Sequence, residues 1–160
     1  MIEQPPPVLD CARVIEYAEV DASVRYTGRI TVYVDGKELG PVPRLAICEN
    51  MDDASDLLLF YCDREWNVLG AGGGPSLEAV RETAERAYSG ISAKWLKSNF
   101  SREEAKRHLD EHWGDQRCAF CGRTPNQVHF LVQGKTGARI CDICVSELKE
   151  ELKVEANRDV

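Results

Sequence analysis

The chain has 160 residues, of which 43% are hydrophobic and 29% are charged, and this composition is typical of a soluble globular protein. Its formal net charge of -7 gives no general attraction for a phosphate backbone or an anionic membrane. No apolar run approaches the roughly 20 residues that cross a bilayer, and the first residues lack the basic and apolar regions of a secretion signal.

The chain contains seven cysteines, an odd number. In a reducing compartment such as the cytoplasm, four closely spaced cysteines indicate a metal site more strongly than they indicate disulfides. We therefore expect a cytoplasmic protein with no membrane contact. Its length allows a domain of about a hundred residues plus a small domain that something other than an apolar core stabilises.

The N-terminal part begins with three prolines at residues 5–7, which predict an extended and solvated lead-in. The first strand is expected near Cys11. Residues 29–34 alternate between apolar and polar side chains, and the pair Asp35 and Gly36 follows them. This pair suits a turn with positive φ, so we predict a β-hairpin here.

A second hairpin is predicted from the apolar run at residues 57–62 and the shorter run at 66–69. The glycine-rich stretch 70–75 is expected to end the sheet. Ser76 then caps a predicted helix. The apolar stripe of this helix comprises Leu77, Val80, Ala84, Ala87 and Tyr88.

Another helix is predicted from Ser101 to about Trp113, because Ser101 and Glu104 form a capping-box pattern and Gly114 can end the helix. We divide the chain into an N-terminal α+β domain (1–100), a connecting helix (101–114), a small cysteine-containing domain (115–153) and a tail (154–160). The expected N-terminal fold is a small antiparallel sheet with covering helices.

The C-terminal quarter contains two Cys-x-x-Cys pairs separated by 19 residues, which is a spacing at which both pairs reach one tetrahedral zinc ion. The predicted ligands are Cys118, Cys121, Cys141 and Cys144. Strands are predicted at 128–132 and 138–140, with a turn at 134–137, because a hairpin brings the pairs together. The second pair opens a predicted helix, which completes a finger of treble-clef type: knuckle, hairpin and helix.

Zinc is expected to be structural. A segment this short buries too little apolar surface to be stable alone, and zinc binding supplies roughly 10–16 kcal/mol in finger peptides. Four protein ligands leave no coordination position for a reactive water, so we expect no catalysis at the ion. Two disulfides, or four unrelated core cysteines, are the alternative interpretations of the same residues.

The segments RCAFCGR at 117–123 and ICDICV at 140–145 resemble the zinc-binding domain that begins ClpX, the unfoldase partner of the ClpP protease. The resemblance covers about 117–152 and implies a bacterial protein with the same four ligands. It also implies homodimers and the recognition of adaptors and unfolded clients. The chain lacks the G-x4-G-K-[ST] loop of the ATPase, so an unfoldase activity is excluded.

Other chemistry-bearing patterns receive structural interpretations. His108, Glu111 and His112 fit the H-x-x-E-H pattern of one metalloprotease class, but we interpret them as a solvated helix face. Residues 72–74 could cradle an anion, although we expect a loop tip. The cysteines outside the pairs, Cys11, Cys48 and Cys62, are predicted to be reduced thiols in apolar surroundings.

A finger this small cannot bury all of its apolar residues. The candidate interaction surface comprises Phe120, Val128, Phe130 and Leu131. These side chains are expected to face the N-terminal domain, a second copy, or a client protein. We therefore predict a non-enzymatic interaction protein whose partner is itself or another protein. A nucleic-acid-binding regulator and an enzyme with its site in the N-terminal domain are the alternatives.

Overall fold

The computed structural model describes residues 2–158, with the side chain of residue 126 left aside. The chain divides into two compact units, Met1–His108 and Leu109–Val160. Helix α2 (Arg102–His112) crosses this division. The stretch 154–160, which the sequence assigns to a tail, is helical as far as Arg158, and its last two residues lie outside the described range.

The first unit is built on one antiparallel sheet with strand order β1-β2-β6-β7-β8, and β10 also pairs with β2. These strands are β1 (Val8–Leu9), β2 (Ala12–Glu19), β6 (Arg44–Asn50), β7 (Leu57–Cys62), β8 (Val68–Gly74) and β10 (Leu96–Lys97). Two smaller pairs are β3 (Arg25–Tyr26) with β9 (Tyr88–Ser89), and β4 (Val32–Val34) with β5 (Lys37–Leu39). The predicted α+β class with an antiparallel sheet is confirmed.

Both faces of the central strands are buried, which explains the continuous apolar run of β7. Alternate residues of a strand point to opposite faces, and Leu59 and Tyr61 enter one apolar cluster while Phe60 and Cys62 enter another. Helix α1 (Leu77–Ala87) contributes to the first cluster through Val80 and Ala84. Its N-terminus is capped as predicted, because the amide of Ala79 donates to Ser76 Oγ at 3.1 Å.

The predicted β4–β5 hairpin is present. Asp35 and Gly36 have φ values of 51° and 76°, as a two-residue turn with left-handed residues requires. The hairpin lies close to β8, because a Cβ added at Gly70 would come within 2.9 Å of Val32 Cγ1 and 3.0 Å of Leu39 Cδ2.

The expectation that residues 70–75 end the sheet is wrong. Val68–Gly74 forms β8, which pairs with β7 from Val68 to Gly74. Close approach rather than a turn explains Gly70 and Gly73: a Cβ at Gly73 would lie 2.9 Å from the carbonyl oxygen of Leu57. Glycine in a strand often marks such a contact.

The proline lead-in is not solvated, contrary to expectation. Pro5 is fully buried, and Ile2 packs against the second apolar cluster. The indole nitrogen of Trp66 donates to the carbonyl of Glu3 at 3.2 Å, and the amide of Val14 donates to the carbonyl of Pro7 at 3.0 Å. The lead-in therefore covers part of the sheet.

The start of α2 has the predicted capping box. The amide of Glu104 donates to Ser101 Oγ at 3.1 Å, and the amide of Ser101 donates to Glu104 Oε2 at 2.7 Å. Glu49, on β6, accepts from the guanidinium groups of Arg13 at 2.8 Å and Arg102 at 2.6 Å. This ion-pair cluster ties the first turn of α2 to the sheet.

The second unit contains the hairpin of β11 (Leu131–Gln133) and β12 (Arg139–Cys141), followed by helix α3 (Asp142–Arg158). The register places Leu131 opposite Cys141, and Gly137 takes the left-handed conformation in the turn, with φ of 91°. Knuckle, hairpin and helix follow in the predicted order.

Candidate metal centre

The four predicted cysteines converge. Their Sγ atoms all lie within 4.8 Å of one another. The Sγ atoms of Cys118 and Cys144 are 3.8 Å apart, and those of Cys121 and Cys141 are 3.7 Å apart. A tetrahedron with metal–sulfur bonds of about 2.3 Å has edges of about 3.8 Å, so the spacing fits one zinc ion.

The first cysteine pair lies in a tight turn. The amide of Cys118 donates to the carbonyl of Arg123 at 2.9 Å, and the amide of Gly122 donates to the carbonyl of Cys118 at 2.9 Å. Gly122 has φ of 76°, a conformation that glycine adopts without cost from a Cβ. The glycine that follows the second ligand is therefore needed to close the knuckle.

The second pair is positioned by the hairpin and the helix. Cys141 ends β12, and its amide donates to Cys118 Sγ at 3.3 Å. Cys144 lies in the first turn of α3, and its amide donates to Cys141 Sγ at 3.4 Å. The carboxylate of Asp142 accepts from the amide of His129 at 3.1 Å, which links the start of the helix to the segment preceding β11.

Backbone amides favour the thiolate form of one ligand in particular. Burial opposes ionisation of Cys118, but hydrogen bonds from the amides of Cys121, Cys141 and Phe120 outweigh it and lower the pKa of this thiol to about 6. Burial raises the pKa of Cys121 and of Cys144. Because the pKa values of Cys121 and Cys144 are raised, a cation is needed to hold all four cysteines as thiolates. A bound metal ion meets this need, since it deprotonates its coordinating thiols.

Arg123 adds a positive charge beside the cysteines. Its guanidinium hydrogen bonds to Cys121, and this contact, with the charges of Cys141 and Cys144, raises the pKa of the arginine. No role was predicted for Arg123 or for Asp142. Asp142 directly follows the ligand Cys141, and Arg123 lies two residues after the ligand Cys121. This proximity was the available signal, since second-shell groups orient and neutralise metal ligands.

The donor set suits structural zinc. Four sulfur ligands in tetrahedral spacing are the arrangement of closed zinc sites. Three of the cysteines, Cys118, Cys141 and Cys144, are buried. When bound, zinc links the knuckle to the hairpin and helix, and the protein fills each coordination position.

The cysteines also form the centre of a small core, and the candidate interaction surface divides around it. Val128 and Leu131 pack against the cysteines. Phe120 and Phe130 are 66% and 58% exposed. Only the two phenylalanines therefore offer most of their surface to a partner.

Further exposed apolar residues in this unit were not included in the predicted surface. They are Val132, Val145, Leu152 and Val154. For Val145 and Leu152 the signal was present in the sequence, since they share a helical stripe with Leu148.

The remaining candidates do not assemble into a second centre. In residues 2–158, the four cysteines are the one group of three or more metal-ligating side chains that converge. His108, Glu111 and His112 therefore provide no such group. Residues 72–74 belong to β8 rather than to a loop tip.

The other cysteines match the expected environment in part. Cys48 and Cys62 are buried, whereas Cys11 is partly exposed. Burial raises the pKa of Cys48 well above its usual range and that of Cys62 to about 12. These two thiols are therefore protonated core residues at neutral pH.

No helix within the described residues is long and apolar enough to span a membrane. No solved structure matches the chain. Residues 116–153 match the family model of the ClpX C4-type zinc finger, which confirms the resemblance for this segment and, with the convergence of the four cysteines, the expectation of one zinc ion.

Proposed function

We propose that the chain is a non-enzymatic cytoplasmic protein whose zinc finger mediates protein–protein interaction, either between two copies or with an adaptor or unfolded client. The observation that carries the proposal is the exposure of Phe120 and Phe130 on a unit whose small core is built around cysteines. Aromatic side chains that remain exposed on a rigid support are typical anchors of interfaces.

Zinc supports this function indirectly. The knuckle holds Phe120 between the ligands Cys118 and Cys121, and Phe130 precedes β11. The carbonyl of Phe130 accepts from the amide of Asp142 at 3.3 Å. Both aromatic residues are thus held by backbone that the metal centre organises. The positions of Phe120 and Phe130 therefore depend on the metal, although neither side chain binds it.

The test measures binding of fluorescein-labelled, reduced and carboxymethylated α-lactalbumin, a permanently unfolded protein, to the zinc-loaded full chain. We expect fluorescence anisotropy to report binding that weakens about tenfold or more in a Phe120→Ser/Phe130→Ser variant, because truncated aromatic anchors commonly cost 1–2 kcal/mol or more each. Chelation of zinc should also abolish it.

Tyr33→Ser is the matched control, because Tyr33 is 68% exposed but lies on the β4–β5 hairpin of the first unit. Its binding should equal that of the wild type. Equal loss in the control variant, or unchanged binding in the double variant together with unchanged self-association, would contradict the proposed role of the finger.

A further inference from the structure

Helix α3 carries an apolar stripe that is largely exposed. Val145, Leu148, Leu152 and Ala156 are three or four residues apart and lie on one helix face. With Ile140 they line a shallow groove of about 570 Å³. Val145 and Leu152 are 42% and 69% exposed, so much of this face is open to solvent, whereas Ile140 at its edge also packs against the cysteine core.

The stripe lies between edges of opposite charge. Lys149 and Lys153 line the groove. With about 100° of rotation per residue, they lie about 60° and 100° to one side of Leu152. Glu155 and Glu151 lie about 60° and 100° to the other side, and both are exposed.

We propose that the occupant of this stripe is α3 of a second copy, packed side by side and parallel to the first. This inference rests on the proposed interaction function and specifies its partner and geometry. When two identical parallel helices are related by a two-fold axis along their length, the lysine edge of each faces the glutamate edge of the other. An antiparallel two-fold pair instead brings like edges together.

Charge therefore selects the parallel arrangement. Opposite charges at the flanks of an apolar seam set the orientation and partner choice of paired helices, and like charges oppose pairing. Lys149 and Glu151, or Lys153 and Glu155, differ by two residues, which is about 3 Å along the axis. Long side chains can span this offset across the seam.

Existing contacts on α3 do not prevent this pairing. Lys153 pairs with Glu150 at 3.0 Å and Arg158 pairs with Glu155 at 3.1 Å, within the same helix. These side chains are 60–71% exposed, and such surface pairs contribute about 0–1 kcal/mol. They can exchange partners when a second helix arrives.

The test uses a variant in which the edges are exchanged: Lys149→Glu, Lys153→Glu, Glu151→Lys and Glu155→Lys. This variant has the composition of the wild type and keeps the apolar stripe. Zinc-loaded, ¹⁵N-labelled wild type and unlabelled variant are mixed, and native mass spectrometry counts the dimers. We expect each protein to dimerise alone, while mixed dimers are at least about threefold rarer than random association gives.

The opposite outcomes overturn the proposal. An excess of mixed dimers would mean antiparallel pairing, since the exchange then turns like edges into opposite ones. Random mixing would mean that the charged edges do not face each other. A chain that stays monomeric at each concentration tested would show that a second copy does not cover the stripe.

Leu152→Asp and Val154→Asp separate this surface from the phenylalanine surface. Val154 is also exposed, but it lies about 160° around the helix from Leu152. We expect Leu152→Asp to abolish the dimer and Val154→Asp to preserve it. If instead Phe120→Ser/Phe130→Ser abolishes the dimer and Leu152→Asp does not, the inference fails while the proposed function stands.

Discussion

Replacement of Gly73 by alanine tests how closely strands β7 and β8 approach each other. A Cβ at Gly73 would lie 2.9 Å from the carbonyl oxygen of Leu57. The obstacle is backbone in the paired strand, so it cannot be relieved by rotation of a side chain. At the neighbouring Gly72, an added Cβ would meet no atom within 4 Å.

The magnitude follows from two opposing effects. Overpacking of this kind typically costs about 1–3 kcal/mol, while alanine in place of glycine gains roughly 0.5–1 kcal/mol because the unfolded chain loses less entropy on folding. We therefore expect Gly73→Ala to lower the free energy of unfolding by about 1–2 kcal/mol. Gly72→Ala has the gain alone and should raise it by about 0.5 kcal/mol.

The assay is urea unfolding of the zinc-loaded full chain in a Trp113→Phe background, in which fluorescence reports Trp66 and Trp95 of the first unit. The midpoints of the two alanine variants should move in opposite directions from the parent, with unchanged slopes. Equal shifts for Gly72→Ala and Gly73→Ala would refute the close-approach explanation of the glycine-rich strand.

Three further predictions concern charge, thiols and metal. Burial opposes ionisation of Glu49, but hydrogen bonds from two arginines outweigh this effect and lower the pKa of Glu49 below 4.5. The contribution of ionised Glu49 to the free energy of unfolding is therefore full above pH 4.5 and is lost as the pH falls through the lowered pKa. Glu49→Gln should lower the free energy of unfolding by about 1–2 kcal/mol at pH 7. Urea titrations at a series of pH values should show that this difference between variant and wild type becomes smaller in acid. Iodoacetamide at neutral pH should modify Cys11 before Cys48 or Cys62, as peptide mass spectrometry will show, because burial raises the pKa of the latter two. Cys144→Ser or chelation should remove hydrogen-exchange protection from the β11–β12 hairpin while the thermal unfolding of the first unit is unchanged; protection that survives both would contradict a metal-dependent finger.

Local patterns in this chain predict local structure well. Asp35 and Gly36 form the predicted turn, Ser76 caps α1, and the Ser101 to Glu104 capping box begins α2. In each case the signal and the contact lie within a few residues. The zinc centre was equally accessible from sequence, because the spacing of two cysteine pairs encodes a long-range contact directly.

Features that depend on distant partners were not predictable in the same way. The glycine-rich sequence of β8 is typical of a loop. The contacts of these glycines with Val32, Leu39 and the Leu57 carbonyl can be recognised only once the strand pairing is known. The proline lead-in resembles a solvated segment until its contact with Trp66 is known. Composition cannot reveal either packing arrangement.

The position of α3 directly at the metal centre has a consequence for helix formation. The first turn of a helix is unfavourable to form, with a nucleation constant of about 10⁻³, and in this chain that turn lies between the ligands Cys141 and Cys144. Zinc therefore acts as the nucleus of a 17-residue helix whose last eight residues are all exposed. By thermodynamic reciprocity, any partner that holds α3 helical also tightens the binding of the metal.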